Sequence, residues 1–351
     1  MVSDIIGNNM KIRRCFLEAL AMLWVIVIVS GCDLFSGGGV VRFSAASVYS
    51  GTETKVGYGD DADGYVRLDW ISGKDRISIS SNLAATESGR SAETYTVTNI
   101  DGEKGSKSGR NSYGHLSPYG EGGLLWDEES PKSLHEFWAI HPDNSSLGAD
   151  GRFSASVKTP NDYLMVAHAP TGSVKDPAGE TVTLYFFPAF TAVRLELNCD
   201  DAIAEDVTLQ NCILSSTNTM LSGTFSAKIA TNGDSESGGL SEYTVSEGTH
   251  SASAACGNLL VPKKGETSVY VDILCLPFGT PVEDLTLTCE YTIGTNQVSR
   301  SLSIPGNLFV ARRQHRLKAL VLPGDLALVD FVVVSCGQPS DEHRQLPDMT
   351  L

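Results

Sequence analysis

The chain has 351 residues, of which only 19% are charged, and its formal net charge is −16. So acidic a surface repels phosphate backbones, which excludes nucleic acid as a partner, and it offers no basic patch to hold anionic lipid. The length suits two domains with cores of their own.

Lys11, Arg13 and Arg14 precede an apolar run over residues 19–29, which ends in Val29, Ser30, Gly31 and Cys32. A basic head, a short apolar middle and a small residue at the exit make a secretory signal. The run is too short to span a bilayer, which takes about 20 apolar residues. Residues 29–32 resemble the lipobox of bacterial lipoproteins. That resemblance implies cleavage between Gly31 and Cys32, acylation of Cys32, and a mature chain held to a membrane by lipid outside the cytoplasm. Residues 1–31 are therefore expected as signal peptide, with Met10 an alternative start. Residues 32–39, closing on Gly37, Gly38 and Gly39, read as a flexible tether.

Short β-prone segments follow. A first strand is expected over residues 40–48, then strands over 65–70, 76–80 and 94–98. Residues 76–80 alternate, with Ile77 and Ile79 on one face and serines on the other. Residues 101–123, rich in glycine and serine, read as a long polar loop. Further strands are expected over 134–141 and 161–167. Residues 181–197 carry the strongest β pattern of the first half, broken by Pro188, which predicts two strands meeting at a bend or a sheet edge. Composition shifts near 198–204, where a domain boundary and a hinge are expected.

Beyond it, strands are expected over 206–214, 221–229, 243–245, 258–261, 268–276, 285–293, 298–304 and 315–322. Residues 326–335 are nearly continuous apolar, which reads as a strand buried on both faces. No helical stripe longer than about two turns occurs outside the signal. The expected fold class is all-β, with β-sandwich domains over 40–200 and 201–324 and a strand and tail over 325–351.

No residue pattern points to catalysis. There is no G-x-S-x-G elbow, and none of the seven histidines neighbours a serine or cysteine in a catalytic motif. His135, Glu136 and His141 lack the i, i+4 spacing of a zinc helix, and the two histidines read as solvent-facing strand residues. Asp60, Asp61, Asp63 and Gly64 look like a calcium loop. With Gly64 sixth, however, the first and twelfth positions are Gly59 and Trp70, so an Asp/Gly turn is expected. Trp70, Trp126 and Trp138 could stack on a glycan, but core packing is the expected role of an aromatic in a sheet. No metal, cofactor or catalytic residue is expected.

The signal carries Cys15, and lipidation uses Cys32. Cys199, Cys212, Cys256, Cys275, Cys289 and Cys336 remain, with no C-x-x-C among them. Disulfides are open to an exported chain, but the preferred reading makes each cysteine a small buried hydrophobe.

Several segments, taken in order, resemble the fimbrillin family, surface lipoproteins of Gram-negative anaerobes that build or cap pili. Thr54 and Lys55, then Trp70, Gly73, Asp75, Ile77 and Ile79, resemble its "T-K … W … G-D-x-I-x-I" opening, with Lys74 inserted. Phe137 to Pro142 resembles an "F-Y-A-x-Y-P" strand, and Asp162 to Ala167 a "D-L-M-x-A" segment. Residues 182–197 resemble "V-x-L-x-F-x-H-x-x-A-x-L-x-F", with Pro188 in the histidine position. Leu221, Ser222, Gly223 and Phe225 match "L-S-G-x-F", and residues 307–322 sit where the family's core ends in a strand.

The resemblance implies two tandem transthyretin-like β-sandwich domains on an outer-membrane lipoprotein that is not an enzyme. It implies assembly with other fimbrial subunits by strand exchange. A first strand within 40–48 is cut away at Lys55 or Arg67, and a strand of another subunit fills the groove. The rival reading is a surface lipoprotein that binds a glycan or host protein without polymerising.

Overall fold

The computed structural model describes residues 39–47, 58–59, 67–68, 70, 72–101, 112–120, 122–127, 133–158, 163–171, 181–231, 240–277, 282, 284–305 and 313–335. Among these residues every helix or strand element is a strand. The protein is all-β, as its short alternating segments and missing helical stripes require.

β1 (Arg42–Ser47) is followed by a ribbon of β2 (Tyr58–Gly59) and β3 (Arg67–Leu68). Next come β4 (Arg76–Ser81), β5 (Ala92–Asp101), β6 (Ser112–Pro118) and β7 (His135–His141). After β8 (Arg152–Val157), the chain continues through β9 (Met165–Thr171), β10 (Thr181–Tyr185) and β11 (Phe187–Pro188). Eight of these strands form one sheet, in the order β10, β1, β6, β5, β4, β7, β9, β11.

Only Phe186 separates β10 from β11, so one chain segment supplies both outer strands of this sheet. The sheet must therefore curl. Phe43 on β1 and Phe137 on β7 stand four strands apart, about 19 Å in a flat sheet at the usual strand spacing. Their ring centroids lie 5.1 Å apart. The concave face encloses a core built from Phe43, Ile77, Ile79, Tyr95, Phe137 and Phe186, among others. Pro188 lies on an edge strand, where its missing N–H costs no ladder bond.

The expected loop over 101–123 contains β6, an interior strand paired with β1 and β5. Gly114 explains why its sequence reads as loop. A Cβ there would stand 2.4 Å from Val97 Cγ1, so the strand packs through its lack of a side chain. β8 was not expected either; its alternation is short, and it finds its partner only 66 or more residues later.

The second half comprises β12 (Thr191–Cys199), β13 (Val207–Ser215), β14 (Ser222–Ile229), β15 (Leu240–Thr249) and β16 (Ser251–Val261). β17 (Val269–Cys275), β18 (Asp284–Ile293), β19 (Asn296–Pro305), β20 (Arg313–Val321) and β21 (Leu326–Ser335) complete it. The sheets β17, β12, β20, β21 and β16, β13, β18, β19 bury their inner faces in one core that includes Leu195, Leu209, Leu287 and Leu317. A third sheet, β15, β14, β8, adds Phe153 and Phe225 to it.

β12 precedes residue 200 yet is an interior strand of this second assembly. Val193, Leu195 and Leu197 point to the core, while on the other face Arg194 makes a bidentate pair with Asp272 at 2.9 Å. Around the expected hinge, Cys199 and Asp200 donate their N–H groups to Pro262 and Val321. β7 serves both cores: Phe137 and Ala139 face the first, Trp138 and Ile140 the second.

β21 is an edge strand, paired among the described residues with β20 alone. It is not buried on both faces as the sequence predicts, since Val329 is 60% exposed. The register shifts from Lys318↔Asp330 to Ala319↔Leu328, which leaves Val329 unpaired at a bulge.

The β13–β14 turn is fastened by Asp284. Its carboxylate accepts Ser216 O–H at 2.6 Å, Thr217 N–H at 2.5 Å, Thr217 O–H and Asn218 N–H at 3.1 Å. These donors, Ser216 foremost, lower its pKa from 3.8 to about 2. A depressed folded pKa contributes stability above the unfolded value and loses it on acidification. The urea midpoint of wild type is therefore expected above that of Asp284→Asn at pH 6. The two should converge as pH falls from 3.8 through about 2. A gap that is constant with pH would contradict this role.

Candidate functional site

The arrangement around β1 is the feature that bears most directly on function. β1 lies between a parallel neighbour, with Arg42–Ala46 against Thr181–Tyr185, and an antiparallel one, with Phe43–Ser47 against residues 112–116. The ladder extends at both ends: Val41 N–H donates to Leu124 at 2.8 Å, and Phe186 N–H to Ala46 at 3.0 Å. Alternation sends Phe43 and Ala45 into the first core, at 2% and 0% exposure. The Phe43 ring meets Tyr95 and Phe137 edge-on, with centroids 5.2 and 5.1 Å away. On the other face, Ser44 donates to Thr183 Oγ1 at 3.1 Å.

β1 is thus a strand near one end of the described chain that fills an interior slot of a sheet. Without it, the facing edges of β10 and β6 would be unpaired and Tyr95 and Phe137 uncovered, a groove shaped for an extended peptide. A cleft of ≈ 320 Å³ adjoins the start of β1, lined by Val40, Phe43, Leu116, Pro118 and Thr181 among others. Val40 at its rim is 52% exposed.

The residues singled out in the sequence fall into three groups. Gly31, Cys32, Lys55, Asp60, Asp61, Asp63, Gly64 and Cys336 lie outside the described residues. Arg67 pairs with Gly59 in the β2–β3 ribbon, between β1 and β4. The remainder lie in or beside the cores.

His135 and His141 are not solvent-facing; they are 1% and 6% exposed. They occupy opposite ends of β7, about 20 Å apart at strand rise, too far to share a metal. His135 accepts Asp127 N–H at 3.3 Å and packs on Trp126, while His141 packs edge-on against Trp70 and lies 3.5 Å from Asp75. Odd-numbered β7 residues all point into the first core, and the tryptophans make room for imidazole there. Among the described residues, no group of three His, Cys, Asp or Glu side chains is placed to hold a metal.

Trp70, Trp126 and Trp138 are 4%, 4% and 3% exposed, as core packing predicts, and present no open ring face to a sugar. Their indole N–H groups find no acceptor among the described residues. Cys199, Cys212, Cys275 and Cys289 are buried free thiols, as expected, whereas Cys256 is half-buried. Sequence reasoning missed that Cys212, Cys256 and Cys289 sit on three adjacent strands. Their spacing carries no such signal, because the juxtaposition depends on register.

No protein-family model matches the sequence, and no curated protein matches it. Solved structures do. The crystal structure of a "putative cell adhesion protein" from Bacteroides uniformis matches 84% of this chain and 97% of its own, with TM-score 0.51 and 15% identity. A protein so described from Bacteroides ovatus matches 87% of this chain and 99% of its own, with TM-score 0.49 and 14% identity. The tip fimbrial protein Mfa3 from Porphyromonas gingivalis, with C-terminal truncation, matches 84% and 99%, with TM-score 0.37 and 9% identity. The protein shares its fold with the Bacteroides uniformis protein, in agreement with the fimbrillin resemblance of its sequence.

Proposed function

We propose that the protein is a lipid-anchored subunit or accessory tip component of a fimbrium on the outer membrane. It joins other fimbrial subunits by exchange of β-strands and acts in adhesion, with no enzymatic step and no cofactor. The observation that carries this reading is the position of β1, an early strand seated between β10 and β6 as an interior strand of its sheet. The lipobox-like residues ending at Cys32 support the anchor, and the fold shared with the Bacteroides uniformis protein described as a "putative cell adhesion protein" supports the role at the surface. The partners in this reading are other fimbrial subunits, the outer membrane through the lipid on Cys32, and a host protein or glycan receptor, while the net charge of −16 disfavours nucleic acid.

Cleavage at Lys55 or Arg67 cuts the chain between β1 and the rest of its sheet. Release of β1 uncovers backbone donors and acceptors on β10 and β6 together with the aromatic floor of the slot. A strand from another subunit satisfies both at once, which makes exchange close to isoenergetic per contact and driven by the groove's need to be filled.

The test is limited digestion of the purified protein with a Lys/Arg-specific protease, followed by gel electrophoresis without heating. A ladder that collapses on heating is expected, with the cut mapped between β1 and β4. Cleaved protein that loses β1 and stays monomeric overturns strand exchange. Glycan or host-protein binding by that monomer would put the non-polymerising lipoprotein in its place.

A further inference from the structure

We propose that Cys256 and Cys212 are a disulfide-forming site, in which Cys256 attacks an external disulfide and Cys212 resolves the product. The site is independent of the fimbrial reading. Cys212 lies on β13, in the interior of its sheet, with β16 on one side and β18 on the other. Cys289 stands directly opposite it on β18, and Cys256 lies diagonally across on β16. The sulfurs of Cys256 and Cys212 are 3.9 Å apart.

Two further observations single out this pair. Cys212 and Cys289 are fully buried, whereas Cys256 is partly open to solvent and so accessible to a reagent. Cys256 also sits in a distortion of its strand. The register jumps from Leu209↔Leu259 to Asn211↔Ala255, so Cys256, Gly257 and Asn258 together face Gln210. Gly257 and Asn258 both have positive φ, at 59° and 62°. A non-glycine residue in that conformation marks a locally imposed backbone, of the kind that re-aims a side chain. Here the bulge frees Cys256 from regular pairing while keeping its sulfur against Cys212.

The protons are distributed to suit. The contact between the two thiols lowers the pKa of Cys256, and together with the neighbouring Cys289 it raises that of Cys212. Of the two, Cys256 gives up its proton more readily and Cys212 keeps its own until the second step. Burial pushes Cys199 and Cys275 up and leaves them unreactive.

The chemistry is thiol–disulfide exchange with a small-molecule or protein disulfide, RSSR. The Cys256 thiolate attacks one sulfur of RSSR, forming a mixed disulfide and expelling RS⁻. Cys212 then gives its proton to that RS⁻, and its sulfur attacks Sγ of Cys256, expelling a second RS⁻, which takes the proton released when Cys256 ionised. Two protein thiols are oxidised to one disulfide, and RSSR is reduced to two RSH. The sulfurs close from 3.9 Å to a bonded distance of about 2.0 Å. The bridge staples β16, an edge strand, to the interior of its sheet.

The test treats the purified, reduced full chain with oxidised glutathione. Remaining thiols are then alkylated in denaturant, and the protein is digested with trypsin and mapped by mass spectrometry. Trypsin leaves Cys199 and Cys212 together on 195–228, Cys256 on 229–263, and Cys275 and Cys289 together on 265–300, so fragmentation within each linked peptide assigns the bonded sulfurs. A Cys212–Cys256 link is expected, lighter by two hydrogens than its free peptides, with Cys199, Cys275 and Cys289 alkylated. Cys289→Ser should retain the link and Cys256→Ser should abolish it, with the thermal midpoint of reduced Cys256→Ser within a few degrees of wild type. A Cys212–Cys289 link, a glutathione adduct on Cys256 that never resolves, or full alkylation of Cys212 in wild type each overturns the proposal. The wild-type map decides even where a variant fails to fold.

Discussion

Alanine at Gly223 is expected to destabilise the protein by about 3–5 kcal/mol, among the largest effects a single methyl group can have here. Gly223 is the glycine of the L-S-G-x-F segment and pairs with Gly248 on one side and Val157 on the other. Its φ is +146°, and a Cβ built on it would stand 2.0 Å from the Glu247 carbonyl oxygen and 2.6 Å from Gly248 Cα. Both obstacles are backbone, so no side-chain rotation relieves them and the β14–β15 ladder must open. Phe225, fully buried and edge-on to Phe153, moves with that ladder. Strain and overpacking cost about 1–3 kcal/mol each, and here they act together. Gly73 is the control. Its φ is +75°, but a Cβ there meets nothing within 4 Å. Gly73→Ala should therefore cost only about 1 kcal/mol. Urea unfolding measures both, and a Gly223→Ala cost no greater than that of Gly73→Ala would refute the close approach.

Deletion of residues 325–351 is expected to remove most of the stability of the second core. β21 pairs with β20 along its whole length, from Leu326 against Val321 to Ser335 against Arg313. Leu326 is 4% exposed, Leu328 and Phe331 pack against the core, and the Phe331 ring stacks on buried His315 at 6.1 Å. Full burial of a Leu or Phe side chain is worth about 1.5–3 kcal/mol; with Leu326 buried and Leu328 and Phe331 partly so, the three contribute about 3–5 kcal/mol against a total of about 5–15. The truncated protein should therefore show a lower and broader melting transition and bind a hydrophobic dye. If it melts like wild type and stays monomeric but no longer enters polymers, β21 is a donor strand and its place in its own core is incidental.

The bulge at Val329 shows how far a ten-residue pattern can be read. An unbroken apolar run announces a strand, but burial on both faces requires a packed layer over each. The core covers Leu326, Leu328 and Phe331, while Val329 is 60% exposed. The histidines of β7 make the same point. Strand alternation correctly groups His135 and His141 with Phe137 and Ala139, but that face turned out to be the core. Trp126, from the segment before β7, and Trp70, from well upstream, create the pockets that accept the imidazole rings.

What the sequence determined by itself was local: the all-β class, the position of most strands, the break at Pro188 and the glycine of L-S-G-x-F. These follow from side-chain alternation and backbone preference, which act over a few residues. Non-local contacts decided the rest. Only the curled sheet explains why Ser112–Pro118 is a strand, because Gly114 needs Val97 above it. Only register brings Cys212 beside Cys256 and Cys289, and only pairing with β10 and β6 makes β1 a buried filler of an interior slot. A sheet places residues far apart in sequence side by side at about 5 Å, and that order is set by the free energy of the whole core rather than by any one segment.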